Sequence, residues 1–127
     1  MTLTVKSVKV MDSCSMLGDG TSVNPSHKCF LAVKIRSELT KAADEVAGVE
    51  DTSIDTSPYS FTIEPAGSTE SIEQGTSEAM SCDHQPVAAI GVISGSVNEG
   101  YIILDSPTKH GRIIYDNDGH GGWAWNF

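Results

Sequence analysis

The feature that most narrows the possible fold is a set of short apolar segments with a period of two, cut apart by turn-forming residues. The clearest is Lys28–Arg36. Cys29, Leu31, Val33 and Ile35 share one face; Lys28, Lys34 and Arg36 fall on the other, with Phe30 and Ala32 between them. Successive side chains of an extended chain point to opposite faces, so this spacing predicts a half-buried strand with a basic outer face. Pro58–Glu64 alternates in the same way. Tyr59, Phe61 and Ile63 point inward, Ser60, Thr62 and Glu64 outward, and Pro65-Ala66-Gly67 ends the run.

Residues 2–11 read TLTVKSVKVM. Leu3 and Val5 lie in one phase, Val8 and Val10 in the other. One strand buries both pairs only if an extra residue resets the phase, so a bulge is expected at Lys6-Ser7. Residues 12–26 are rich in Ser, Gly, Asp, Asn and Pro and read as a loop, with Gly18-Asp19-Gly20 as a tight turn. Pro86–Ser94 is a continuous apolar run with Gly91 inside it, the signature expected of a central strand buried on both faces. Tyr101–Leu104, Arg112–Tyr115 and Trp123–Phe127 follow at turn-length spacing, so the C-terminal third reads as an antiparallel meander.

One segment carries a helical period. In Ser37–Gly48, Leu39, Ala42, Ala43 and Val46 recur at i, i+3, i+4 and i+7, with Ser37 as N-cap and Gly48 as the stop. Residues 49–57 read as an acidic loop. Residues 66–85 are too long for a structureless connection, so a helical turn near Ser71–Gln74, or a functional flap, is expected there. Seven strands and one helix predict a mainly β chain: an antiparallel β-sandwich or small barrel with one short helix. The alternative is a two-layer α+β arrangement. A length of 127 residues corresponds to a single globular domain spanning 1–127.

The formal charge is -9, from 8 basic and 17 acidic residues. Six of the eight cations precede residue 42, and from Ala42 to Thr108 there is neither Lys nor Arg. This composition argues against a nucleic-acid partner, because phosphate neutralisation needs a basic face. It predicts instead an acidic side, built largely from the loops at 49–57 and 66–85, that suits a basic protein partner. No apolar run approaches the roughly 20 residues of a membrane-spanning helix, so no membrane insertion is expected. The N-terminal segment has no long apolar stretch of the signal-peptide kind, and a cytoplasmic or intracellular setting is the expectation. The three cysteines, Cys14, Cys29 and Cys82, show no C-x-x-C spacing; reduced thiols are expected, with one bridge plus a free thiol as the alternative.

No phosphate-binding loop, nucleophile elbow or zinc-protease motif is present in the sequence. Two weaker constellations remain. His27-Lys28-Cys29 and Cys82-Asp83-His84 each place two ligands at i, i+2, and together they hold the count of a tetrahedral zinc site: His27, Cys29, Cys82 and His84. The second is the C-terminal turn with its flanking aromatics. Tyr115, Trp123 and Trp125 offer stacking surfaces, and Asp116, Asp118 and His120 offer polar contacts to a sugar or, for the acids, to calcium, although the full calcium-loop pattern is missing. With Glu99 at the same end of the expected meander, this rim also holds the residue types of a small hydrolase.

The expectation is therefore a non-enzymatic binding domain, most plainly a protein–protein interaction module such as an inhibitor, an immunity-type protein or an assembly component, needing no cofactor. The alternatives are a lectin-like carbohydrate-binding domain using the C-terminal Tyr/Trp set, and a small hydrolase or metal-dependent enzyme.

Overall fold

The computed structural model describes residues 2–39, 53–55, 60–67, 72–73, 76–84, 86, 91–93, 95–115 and 123–127. Its longest strands come from the segments with the most regular alternation. β1 (Thr2–Met11), β4 (Cys29–Leu39) and β9 (Ser96–Ser106) form an antiparallel sheet in the order β1-β4-β9. β6 (Phe61–Pro65), β7 (Ile72–Glu73), β10 (Gly111–Tyr115) and β11 (Trp123–Asn126) form a second, in the order β11-β10-β6-β7. Two small hairpin-like sheets add β2 (Cys14–Ser15) with β3 (Ser22–Val23), and β5 (Ser53–Asp55) with β8 (Gly91–Ile93). Among the described residues the one helix, α1 (Ser77–Met80), is a single turn. The architecture is mainly β and antiparallel, as the alternation implies.

The register of β1 shows how the phase change is resolved. Val5 lies opposite Ile35, and the pairing then shifts so that Val8 lies opposite Val33 and Val10 opposite Leu31. The extra residue falls at Lys6, and Leu3, Val5, Val8 and Val10 all end on the face shared with Leu31, Val33 and Ile35. That face meets Phe61 and Ile63 of β6 and Ile113 and Tyr115 of β10 in the principal core. The two sheets thus pack as a sandwich. The turn before β3 is as expected, with Gly18 and Gly20 both at positive φ, where a side chain would be strained.

Several expectations are corrected. β4 is buried on both faces along its first half, not on one. Phe30 and Ala32 are fully buried beneath α1 in a second apolar cluster with Ala79, Cys82 and Ile103. β4 holds the central position of the first sheet; of Pro86–Ser94, expected to be a central strand, residues 87–90 and 94 lie outside the described residues, and Gly91–Ile93 is a strand that pairs with β5. Further along β4, the outer face carries Lys34, Arg36 and Glu38. Lys34 pairs with Glu99 at 3.4 Å and Arg36 with Glu38 at 3.3 Å, so the basic face is locally neutralised.

The helix expected from Ser37 does not begin there. Ser37–Leu39 continue β4, paired with Asn98, Val97 and Ser96, because a neighbouring strand supplies every backbone partner a helix would otherwise provide. The remainder of that helix, residues 40–48, lies outside the described residues. In the 66–85 region, Ile72–Glu73 is strand and the helical turn lies later, at Ser77–Met80, capped by the Thr76 side chain accepting from the Ala79 amide. The meander also fails as a whole. β10 and β11 pair, but β9 belongs to the other sheet, so the connection after Ser106 crosses the sandwich.

Among the described residues one charged side chain is fully buried. Asp105 has no exposed surface, and its carboxylate accepts three hydrogen bonds: from the Ser26 amide (2.7 Å), the His27 amide (2.9 Å) and the Thr76 hydroxyl (2.7 Å). Three donors replace the lost water, which makes burial of the carboxylate tolerable. The same contacts tie the loop before β4 and the cap of α1 to β9.

Candidate interaction surface

The four candidate zinc ligands do not converge. Cys29 is fully buried on the inner face of β4, where its thiol approaches the carbonyl oxygens of Thr108 (3.4 Å) and Ser106 (3.9 Å). Burial pushes that thiol up from its ordinary pKa. Cys82 lies on the outer side of the same sheet and is disulfide-bonded to Cys14. His27 is exposed, while His84 sets its ring edge-on against Tyr101 at 4.4 Å. Among the described residues no three His, Cys, Asp or Glu side chains are placed to hold one metal ion. The spacing argument fails because the two thiols face opposite sides of β4 and one is consumed by a bridge. The expectation of three reduced thiols is corrected at the same point: one bridge and one buried free thiol, Cys29.

The C-terminal aromatic set is divided. Register places Trp123 opposite Tyr115 and Trp125 opposite Ile113, so both indoles do share the inward face. Tyr115 is buried in the core with its ring 5.1 Å from Phe61 and 5.8 Å from Trp123, which corrects its assignment as a ligand contact. Trp125 packs partly against the core, and Trp123 remains 40% exposed. Asp116, Asp118 and His120 lie outside the described residues. Glu99, expected to join them, is the partner of Lys34.

A different surface is assembled around the disulfide. Beyond the Cys14–Cys82 bond, the Met16 segment pairs with Cys82, the Leu17 amide donates to the Ser81 carbonyl (2.9 Å), and the Asp83 amide donates to the Ser15 carbonyl (2.8 Å). The β2–β3 hairpin and the end of α1 thus form one cross-linked corner over the outer face of the first sheet. Met16, Leu17 and Met80 emerge from it 37%, 50% and 41% exposed. Asp19, Glu78 and Asp83 belong to the same two segments, which contain no Lys or Arg. Hydrogen bonds from Thr21 hold the Asp19 carboxyl below its usual pKa, so it is firmly anionic.

The sequence reading missed this apolar cluster. The available signal was the pair Met16-Leu17, two large apolar residues interrupting a loop that is otherwise polar and glycine-rich. Among the described residues no helix is long and apolar enough to cross a membrane. Comparison with known proteins finds no matching family model, no matching curated protein and no matching solved structure, so the role of this surface rests on its own chemistry.

Proposed function

We propose that the chain is a non-enzymatic binding domain that engages a basic protein partner through the disulfide-linked corner. The observation that carries this reading is the exposure of Met16, Leu17 and Met80 on a cross-linked scaffold whose only charged residues are acidic. Large apolar side chains contribute contact area, and methionine adapts its shape to the partner. An acidic rim speeds encounter with a basic surface and makes the association salt-sensitive. The bridge reduces the ordering cost of presenting the three side chains together. It also favours work in an oxidising compartment over the reducing interior expected from the sequence.

The test is retention of a partner by the immobilised chain at low and high salt, with Leu17→Lys as the comparison. Leu17 is half exposed, so the substitution leaves the core intact while adding a like charge against a basic partner. Loss of the partner with Leu17→Lys and at high salt is the expected result. Equal retention by both chains at both salt concentrations contradicts the proposal.

The exposure of Trp123 on the edge strand favours one further reading, carbohydrate stacking. A glycan array without hits, or tryptophan emission unmoved by the glycans that bind, removes it.

A further inference from the structure

We infer that the open side of the sandwich is a second binding site, of opposite character, that accepts an extended acidic peptide as an added strand. β1 is bonded only by β4 and β11 only by β10 among the described strands, so each presents an edge. Both edges line one open groove of about 650 Å³. That volume falls within the range of sites that enclose a ligand. Val5, Val8 and Val10 enter it from β1, and Trp125 and Phe127 from the opposite wall. Val5, Val8, Trp125 and Phe127 are the partly buried residues that complete the principal core, so the groove opens directly onto apolar surface.

The charge selects the occupant. Lys6 at the bulge and Lys109 at the groove end line it, and among the described residues no Asp or Glu side chain does. In a chain of net charge -9 this is a local reversal. Among the described residues Lys109 pairs with Asp12, at 3.9 Å, with both side chains at least half exposed; such a pair is weak and exchanges readily. Lysines on an edge strand discourage edge-to-edge pairing between copies that carry the same charge there. The same features admit a strand whose outward side chains are carboxylates and whose inward side chains are apolar. Main-chain hydrogen bonds to β1 then supply affinity, and alternate side chains enter the groove.

The experiment uses the whole oxidised chain and fluorescence anisotropy with three labelled peptides of about eight residues, the length of a typical strand. One alternates valine and glutamate, one alternates valine and lysine, and one is the glutamate peptide with alternate amides N-methylated. The glutamate peptide is expected to bind, the lysine peptide not to, and N-methylation to abolish binding because it removes the strand-forming donors. The double variant Lys6→Glu/Lys109→Glu should weaken the glutamate peptide at least about tenfold. Equal binding of the glutamate and lysine peptides, no binding of either, or full affinity after N-methylation overturns the inference. So does binding of laurate, a simple apolar carboxylate, in place of the glutamate peptide. The peptide comparison is made on the unmodified chain, so it stands even where the double variant folds poorly.

Discussion

Replacing Asp105 by alanine is the most informative single perturbation of this fold. The side chain is fully buried, and its three donors come from two separate segments, Ser26–His27 and Thr76. Each hydrogen bond to an ionised acceptor is worth about 1.5–3 kcal/mol, so three at the low end total about 4.5 kcal/mol. Ser26 and His27 are exposed, so water recovers part of the loss at their amides. A net cost of about 3 kcal/mol is therefore expected for Asp105→Ala. In a chain of this size that lowers Tm by roughly 10 °C. The assay is urea unfolding followed by circular dichroism, with Thr76→Val alongside. The Thr76 hydroxyl donates to Asp105 and accepts from the Ala79 amide, so its loss removes one carboxylate bond and the helix cap, at a cost of about 2–3 kcal/mol. The two substitutions share one contact, and the double variant should be milder than the sum by about 0.5 kcal/mol or more. An Asp105→Ala chain within about 0.5 kcal/mol of the parent, or strict additivity with Thr76→Val, would refute the reasoning.

Four further outcomes follow from the same packing. The Cys14–Cys82 bridge closes a sequence separation of 68 residues, so its reduction should lower stability by about 2–4 kcal/mol, read as a fall in urea midpoint with reductant. Cys29 should resist a thiol-reactive dye in the native chain and react as one thiol on unfolding; immediate native labelling contradicts its burial. Because its pKa is raised in the folded state, the unfolded chain ionises first as pH climbs. The stability of the parent relative to Cys29→Ala should then fall as pH rises through the unfolded thiol's value of about 8.5, with no such trend in the neutral range. Gly111→Ala should cost about 1–3 kcal/mol in thermal unfolding, since a Cβ there collides with the Glu64 carbonyl oxygen across β10 and β6.

Parts of this structure were legible in residue order because they depend only on local period. The bulge at Lys6 follows from a phase change between Val5 and Val8, and the inward set of β4 from Cys29, Leu31, Val33 and Ile35. The outer face of β4 was not legible in the same way. Phe30 and Ala32 sit between charged residues and read as exposed; they are buried because α1 and Cys82, some fifty residues later in sequence, pack over them. The helical period of 37–48 likewise loses at its start to strand pairing with β9, a partner that local pattern cannot see. The candidate zinc site failed for a related reason. Spacing within each half-site was suitable, but whether the halves meet depends on which face of the sheet each occupies.

By itself the amino-acid sequence determined the mainly β class, the phase of the principal strands, the tight turn at Gly18–Gly20 and the absence of cations between Ala42 and Thr108. These are consequences of side-chain alternation, backbone sterics and composition, all of which act locally. Tertiary structure alone decided which of three cysteines pair, where Asp105 goes and which apolar residues stay in solvent. Each of these depends on contacts between segments far apart in the chain, which local alternation does not encode. The corner at the Cys14–Cys82 bridge thereby presents Met16, Leu17 and Met80 to solvent, and the edges of β1 and β11 line a groove with Lys6 and Lys109.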